Sequence, residues 1–160
     1  MRYPQTLSLL AAAGSAALLL GAFGFQLAGY APCEMCIWQR WPHAIAIAIG
    51  AAIWWAGWRR ALAWLGVLAA LAATGLAVWH AGIELGIFRG VTACTGGVGD
   101  LTALSTADLM NRLQAAPVVR CDEVAWSLLG ISMAGWNAII SAGLTGIWLA
   151  SARARHPATA

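Results

Sequence analysis

The chain contains no lysine and little charge of either sign. Its 160 residues include nine basic and six acidic side chains, so that charged residues make up 9% of the sequence and hydrophobic residues 61%. Soluble domains carry charge on about a quarter of their residues. The composition therefore excludes an ordinary soluble domain and predicts an integral membrane protein, without room for a second, soluble domain.

Sequence signatures of several other protein classes are also missing. The chain has no internal repeat, no glycine-rich phosphate-binding motif, no low-complexity run and no basic patch of the kind that binds nucleic acid. No nucleic-acid partner is therefore expected. The abundant alanine and glycine fit the close packing of helices in lipid.

Four apolar runs have lengths that suit membrane-spanning helices, which need about 20 predominantly apolar residues. The runs cover about residues 7–29, 37–58, 62–82 and 128–150. The second reaches full length only when Gln39 and Arg40 lie at its outer end, at the membrane interface. A β-barrel would need short alternating strands instead. The pattern predicts an all-α membrane protein, a four-helix transmembrane bundle that forms one domain over residues 1–160.

Most of the charge, several glycines and Pro117 fall between about residues 83 and 127, which predicts one long loop outside the membrane. Within this loop, the segment 105–108 is typical of a helix start, and an apolar stripe follows it at helical spacing. We expect a short helix on the membrane surface. A solvated helical turn without membrane contact is the alternative.

The positions of the arginines predict the orientation in the membrane. One side of the predicted bundle carries Arg2, Arg59, Arg60, Arg153 and Arg155, and the other carries every acidic residue. The positive-inside rule places both termini in the cytoplasm. All four cysteines then lie on the outer face, which in a bacterial inner membrane is the oxidising periplasm. The first run is about twice as long as a signal-peptide core, which favours a span over a cleaved signal.

The four cysteines form two pairs with different spacings. A bond between Cys33 and Cys36 closes a very short ring and contributes about 2 kcal/mol before strain on the chain-entropy estimate. A bond between Cys94 and Cys121 closes about 28 residues and contributes about 3.5 kcal/mol. A disulfide between Cys33 and Cys36 would therefore stabilise the fold little. A disulfide between Cys94 and Cys121 suits a purely structural role as well as a reactive one.

Cys33 and Cys36 have the features of a redox-active dithiol. They lie near the predicted start of a helix, whose dipole lowers a thiol pKa, and Arg40 follows Cys36 by one helical turn. A stabilised thiolate is the nucleophile that attacks a disulfide or an electron-poor ring. A local structural disulfide and a pair of unreactive thiols are the alternatives. No metal is expected, because Cys94 and Cys121 lack the second short spacing of zinc and iron–sulfur sites.

Other side chains near the same membrane level could hold a quinone. Arg40 could donate to a quinone carbonyl and stabilise the negative charge of the reduced ring, although arginines at span ends also anchor helices in lipid. His80, at the outer end of the third span, could donate a hydrogen bond or carry a proton, or be a structural histidine. Trp38 and Trp41 could flank a flat ring or lie in the interfacial belt.

These features resemble the disulfide bond formation protein B (DsbB) family. The resemblance rests on the four-span layout and on the segment 32–36, Pro-Cys-Glu-Met-Cys, which leads into Gln-Arg-Trp-Pro-His at 39–43. A later outer loop that carries Cys94 and Cys121 adds independent support. The resemblance covers nearly the whole chain. Gln39 departs from the glutamate of the best-known members, which leaves an acid–base role at this position open.

The resemblance implies a quinone-linked oxidase that re-oxidises a periplasmic, thioredoxin-like protein of the DsbA type. It implies that Cys94 is attacked by the partner's thiolate and that Cys121 is its bridging mate. Cys33 and Cys36 would receive the electrons by disulfide exchange and pass them to ubiquinone or menaquinone, with Cys36 nearest the quinone ring. Arg40 matches the arginine that contacts the quinone, and Gln39 and His80 join the predicted cofactor-binding residues.

Two other functions remain open at this point. The first is a non-catalytic membrane scaffold whose outer disulfides stabilise a loop that binds another protein. The second is a thiol reductase that passes electrons outward, since exchange reactions run in the direction that the reduction potentials set. Bound quinone and the measured potentials of the two cysteine pairs distinguish these functions from the oxidase.

Overall fold

The structure is a computed structural model that describes residues 3–89, 105, 107, 110 and 119–154. Four long helices account for most of the described chain. They are α1 (Tyr3–Leu27), α2 (Glu34–Ala56), α3 (Arg60–Glu84) and α4 (Met133–Arg153). The predicted short surface helix falls largely outside the described residues, as does Cys94.

The structure confirms that the described chain is mainly helical and that most of its helices suit a membrane. Helices α1, α3 and α4 are each long and apolar enough to cross a membrane. Helix α2 has a comparable length, but its first half contains Glu34, Gln39, Arg40 and His43, which lower its hydropathy. Large apolar side chains along the bundle point outward, including Leu20 and Leu27, as expected for surfaces that face lipid.

Helix α2 begins earlier than the apolar run that predicted it. Cys33 is its N-cap residue, and the Cys33 Sγ accepts a hydrogen bond from the backbone N–H of Cys36. The cap satisfies one of the free N–H groups of the first helical turn. As a result, Cys36, Gln39 and Arg40 all lie on the first two turns of one helix.

Helix α4 begins at Met133, about five residues after the start of the fourth apolar run. Ser127–Leu128 and Ile131–Ser132 form a small antiparallel hairpin before it. Both residues of its turn, Leu129 and Gly130, have positive φ angles, which a tight hairpin of this kind requires. Ser132 then caps α4, because its Oγ accepts the backbone N–H of Gly135.

Small residues let the helices approach closely in the half of the bundle that lies away from the cysteines. A Cβ at Gly66 of α3 would overlap the ring of Trp148 on α4, and a Cβ at Gly50 of α2 would overlap Ala12 of α1. Trp148 is fully buried in this core, together with Ile53. Such small-residue contacts are the usual basis of helix packing in membranes, where lipid supplies no hydrophobic driving force between helices.

Candidate functional site

A cleft of about 450 Å³ opens beside the first turns of α2. Residues of α1, α2, α3 and α4 line it, together with the segment 119–128. Its wall is largely apolar, with a few polar groups that converge on one side. These are Cys33, Cys36, Gln39, Arg40, His43, His80, Glu84 and Asn137. An apolar cleft with a few placed polar groups is the usual form of a small-molecule site.

The first cysteine pair lies at the wall of the cleft. The Sγ atoms of Cys33 and Cys36 are only 2.7 Å apart, closer than the van der Waals contact of two sulfurs. Cys33 is buried and Cys36 is partly exposed. The contact with Cys36 and the burial of Cys33 both raise the pKa of the Cys33 thiol.

The geometry of this pair favours a sulfur–sulfur bond over a shared metal ion. The ligand atoms of Cys33, Cys36 and His80 lie within 4.8 Å of one another, a clustering compatible with metal binding. Two thiolates on one tetrahedral zinc, each at about 2.3 Å from the metal, would be about 3.8 Å apart. The observed 2.7 Å between the two sulfurs is much shorter.

Cys121 reaches the same site from the loop. Its side chain is fully buried and belongs to one cluster with Cys33, Met35 and Ile83. The backbone of Cys121 also hydrogen-bonds the side chain of His80. Cys33, Cys36 and Cys121, the cysteines within the described residues, all have free thiols. Three of the four predicted catalytic cysteines therefore lie together, and the fourth, Cys94, is outside the described residues.

Arg40 lies on the cleft wall one turn after Cys36. Its guanidinium carbon is 4.7 Å from the ring centroid of Phe23 on α1, within the range of a cation–π contact. Within the described part of the chain, the Arg40 Nε is buried and has no hydrogen-bond partner. A buried donor without a partner is costly. Its position on the cleft suits a ligand that brings an acceptor oxygen.

Gln39 and His80 belong to a buried polar network that joins three helices. The Gln39 Nε2 lies 2.7 Å from the His80 Nδ1, and the Gln39 Oε1 accepts from the Asn137 Nδ2 at 2.6 Å. The Asn137 Oδ1 in turn contacts the His43 Nε2 and accepts from Ser141, each at 3.2 Å. His80 reaches Cys33, with 3.6 Å between the Nε2 and Sγ atoms. The network thus connects α4 to the cysteine pair.

Sequence reasoning missed Asn137, His43 and Glu84 as residues of this site. Polar residues inside apolar spans are expensive unless they have partners or a function, so Asn137 within the fourth run was a usable signal. Glu84 ends α3 and accepts a hydrogen bond from Ser132, the N-cap of α4. Its half-buried carboxyl lies on the cleft wall and interacts electrostatically with Cys36.

An exposed ion-pair cluster lies at the mouth of the cleft, next to Cys121. Arg120 donates two hydrogen bonds to Asp122, at 2.9 and 2.6 Å, and its Nε lies 3.4 Å from Glu123. These hydrogen bonds hold the pKa of Asp122 below its usual range and raise the pKa of Arg120. Both groups are exposed, so the cluster adds little to stability and mainly sets the local charge.

Comparisons with known proteins point to one family. The family model described as "Disulfide bond formation protein DsbB" matches residues 4–151. A "Disulfide bond formation protein B" of Idiomarina loihiensis is 29% identical over 143 residues, which cover 82% of this chain and 75% of that relative.

An uncharacterized protein of Rickettsia prowazekii is 25% identical over 113 residues, which cover 70% of this chain and 66% of that protein, just under two thirds of its length. No solved structure matches the chain.

Proposed function

This chain belongs to the family of disulfide bond formation protein DsbB, and from that premise we propose that it re-oxidises a periplasmic DsbA-type dithiol protein and passes the electrons to a membrane quinone. The family match confirms the resemblance to this family and supports a membrane protein of disulfide bond formation. The observation that carries the proposal is the placement of Cys33, Cys36 and the unpaired Arg40 donor on one apolar cleft, with Cys121 buried beside Cys33.

The thiol relay follows from the positions of the sulfurs. In the proposed cycle, the partner's thiolate attacks Cys94 of a Cys94–Cys121 disulfide and releases the Cys121 thiolate. Cys121 then attacks Cys33 of the Cys33–Cys36 disulfide, so that a Cys33–Cys121 bond forms and Cys36 leaves as a thiolate. Burial of Cys121 and Cys33 in one cluster supports this order of attack. The partner's second thiol then attacks its mixed disulfide with Cys94, so that the partner's own disulfide forms and Cys94 leaves as a thiolate. Cys94 attacks Cys121 of the Cys33–Cys121 bond, which re-forms the Cys94–Cys121 disulfide and leaves Cys33 and Cys36 reduced. The partner has lost two electrons and two protons.

The residues of the cleft fit a quinone. Ubiquinone or menaquinone would supply an acceptor for two electrons and two protons. The Arg40 guanidinium would donate to a carbonyl oxygen and stabilise negative charge on it, because its Nε is unpaired and partly desolvated. Phe23 holds this guanidinium in place through its ring face. Cys36 lies on the same wall and presents its sulfur to the cleft.

Gln39 and His80 have a supporting part in this proposal. Both line the cleft, but both of their polar side-chain ends already bond to protein groups. A quinone oxygen would have to compete with those partners. We therefore assign direct quinone binding to Arg40 and orientation of the cysteine pair to Gln39 and His80.

A bacterial inner-membrane location completes the proposal. Both termini and the turn at Arg59 and Arg60 would be cytoplasmic, and the cysteine end of the bundle would face the periplasm. Labelling of single cysteines with a membrane-impermeant reagent, in intact and in opened cells, tests this orientation. Because Cys33 and Cys121 are buried, the reporter is a cysteine that replaces the exposed Val124 in the same segment. If this cysteine is labelled only after the inner membrane is ruptured, and not when the outer membrane alone is permeabilised, the orientation is the reverse of the proposed one.

Quinone-dependent oxidation of a reduced DsbA-type protein tests the function. The purified chain is expected to contain co-extracted quinone and to oxidise the partner only when quinone is supplied. Arg40→Ala should raise the quinone concentration needed for half-maximal rate about tenfold, the loss expected for one charged hydrogen bond. Arg59→Ala is the matched control, because Arg59 lies at the other end of the bundle.

Two outcomes would reject parts of the proposal. If the rate does not depend on quinone, the oxidase assignment fails and a scaffold or an outward-directed reductase is favoured. If Cys94→Ser abolishes both partner oxidation and quinone reduction by a small dithiol equally, the order of transfer fails. We expect that variant to lose partner oxidation and to retain part of the small-dithiol reaction.

A further inference from the structure

Glu84 is a half-buried carboxyl on the wall of the cleft, at the outer end of α3. It lies one helical turn after His80, on the same face of that helix. Its Oε2 accepts a hydrogen bond from the Ser132 hydroxyl, and no described arginine lies within ion-pair distance of it. A charge that is taken out of water without an opposite charge beside it is costly, and such a group tends to change its protonation state instead. Glu84 is therefore a carboxyl that can gain and lose a proton.

Most of the polar side chains near the cysteine pair cannot exchange protons. Gln39 and Asn137 line the cleft but are amides, which have no ionisable proton. An arginine side chain such as Arg40 does not release a proton in proteins. These residues can hold or orient a ligand, but another group has to supply protons to the cleft.

The two histidines of the cleft are already engaged with protein groups. Both ring nitrogens of His80 contact side chains, and this histidine also hydrogen-bonds the backbone of Cys121. The Nε2 of His43 faces the Asn137 Oδ1, more than two helical turns after the start of α2. Glu84 is nearer the outer water than either histidine, because it is the last residue of α3.

Glu84 lies between the exposed mouth of the cleft and the cysteine pair. At the mouth, Arg120 and Glu123 are exposed and line the same cleft. On the inner side, Glu84 interacts electrostatically with Cys36, which also lines the cleft. A negative sulfur favours a proton on a carboxyl close to it, and this influence is reciprocal. The arrival of electrons at the cysteine pair should therefore promote proton uptake by Glu84.

We propose that Glu84 is the proton-transfer residue of the cleft: its carboxylate takes a proton from the outer water when Cys33 and Cys36 are reduced, and gives it to the electron acceptor that the pair reduces. This inference rests on the proposed function, because it names the proton route of that reaction. In each turnover the partner loses two electrons and releases two protons into the outer water, and Glu84 delivers two protons to the acceptor, one at a time. Any proton that the cysteine pair takes from the water on reduction returns there when the Cys33–Cys36 disulfide re-forms.

The hydrogen bond from Ser132 offers a purely structural alternative, in which Glu84 only ties the end of α3 to the N-cap of α4. Glu84→Gln separates the two roles, because the amide oxygen still accepts from Ser132 but the amide carries no ionisable proton. Ser132→Ala does the reverse, since it removes the tie and leaves the carboxyl. Glu123→Gln is the matched control, because its carboxyl lies at the exposed mouth of the same cleft.

The first measurement needs neither quinone nor partner. The full chain with Cys94→Ser and Cys121→Ser is placed in lipid nanodiscs, and its infrared spectrum is recorded at neutral pH before and after electrochemical reduction of the remaining cysteine pair. We expect a band of a protonated carboxyl to appear on reduction, to shift when glutamate is labelled with ¹³C, and to be missing in Glu84→Gln. The other glutamates, Glu34 and Glu123, are exposed and should not contribute to it.

The second measurement follows the reduction of a short-chain ubiquinone by dithiothreitol, with the natural cysteines in place. Glu84→Gln should slow this reaction about a hundredfold at neutral pH, at the lower end of the range for general acid–base catalysis. Glu84→Asp should recover part of the rate, and Ser132→Ala and Glu123→Gln should retain most of it. The rate of the parent protein should fall as rising pH removes the proton from Glu84, and the rate of Glu84→Gln should lack this fall.

Other groups that face the cleft also titrate or carry charge, and all of them stay in place in the Glu84 variants. They lie on α2 and its N-cap, on α3, in the link between α1 and α2, and in the segment 119–128, whereas the described cleft residues of α1 and α4 are uncharged. These groups are Tyr30, Cys33, Cys36, Arg40, His43, His80, Arg120 and Glu123. The difference between the parent protein and Glu84→Gln therefore isolates the carboxyl.

Three results would overturn the proposal. If no infrared band of Glu84 changes on reduction, the carboxyl takes up no proton, whatever the variants do. If Glu84→Gln has the rate and pH profile of the parent protein, protons reach the cleft by another route. Equal losses of rate in Glu84→Gln and Ser132→Ala would show that Glu84 is only a structural tie. A parent protein that does not reduce quinone contradicts the proposed function instead, and the infrared measurement then decides alone whether Glu84 takes up a proton.

Discussion

The two ends of the helix bundle bury polar side chains in different ways. At the end opposite the cysteines, Ser151 donates to the Pro4 carbonyl and accepts from Trp58, and its Oγ lies 2.8 Å from that of Ser8. This cluster closes on itself and joins α1, α4 and the turn after α2. At the cysteine end, the network stops at a cleft, and the Arg40 Nε has no partner among the described residues.

The Ser151 cluster connects helices to one another, whereas the network at the cysteine end borders a cleft that a ligand can enter. A closed cluster satisfies its donors and acceptors and contributes to stability. An unpaired donor alone does not mark a site, because the Trp148 Nε1 in the core also has no partner among the described residues. The Arg40 Nε differs in that its residue lines a cleft large enough for a ligand. Buried polar residues thus stabilise helix packing at one end of the bundle and line a cleft at the other.

The largest expected effect is the loss of partner oxidation in Cys121→Ser. The rate should fall by several orders of magnitude, because exchange with Cys33 requires this sulfur. The structure of the bundle should survive, since Cys121 lies in the loop segment outside the four helices. A rate close to that of the parent protein, measured with the DsbA-type partner, would contradict the relay.

The next effect concerns packing of the helix core in the half of the bundle that lies away from the cysteines. Gly66→Ala places a methyl group against the Trp148 ring and should cost about 1–3 kcal/mol of stability, the usual penalty for overpacking. Gly75→Ala, on the same helix, is the control, because a Cβ there meets no described atom within 4 Å. Unfolding in mixed detergent micelles measures both. Equal stabilities would show that the Gly66 contact is not tight.

A loss of stability of similar size is expected when the closed cluster is opened. Ser151→Ala leaves the Pro4 carbonyl, the Trp58 indole N–H and Ser8 without this hydroxyl, and should cost about 1–3 kcal/mol. The rate of partner oxidation per folded molecule should be unchanged, because the cluster lies at the other end of the bundle. If Ser151→Ala lowers the rate of partner oxidation without lowering stability, the closed cluster takes part in function and the two ends of the bundle do not differ in this respect.

The smallest effect is expected at the mouth of the cleft. Arg120→Ala removes the hydrogen bonds that lower the pKa of Asp122, so that this pKa should rise towards its ordinary value. A carboxyl whose pKa is lowered by folding stabilises the fold above its unfolded pKa and loses that effect as pH falls. Because both groups are exposed, we expect no measurable change in stability at neutral pH. Carboxyl ¹³C titration of Asp122 checks the shift, and an unchanged pKa would contradict it.

The helices and the cysteine motif could be predicted from the sequence because both signals are local. Apolar runs report helices directly, and the spacing of Cys33 and Cys36 places them one turn apart. The pairing of Asn137 with Gln39 could not be predicted, since the two residues are 98 positions apart and meet only through the relative rotation of α2 and α4. The start of α4 at Met133, after the beginning of the fourth apolar run, could not be predicted either. The turn before it requires a positive φ at Leu129, a backbone conformation that leucine seldom adopts.

The sulfur of Cys33 has a second task, because it caps helix α2 by accepting the Cys36 amide. Any substitution of this residue therefore changes both the redox chemistry and the initiation of the helix. Alanine removes the two together, whereas serine replaces the sulfur with one of the best capping oxygens. Cys33→Ser is accordingly the cleaner probe of thiol chemistry, and the contrast between the serine and alanine variants reports what the cap alone contributes.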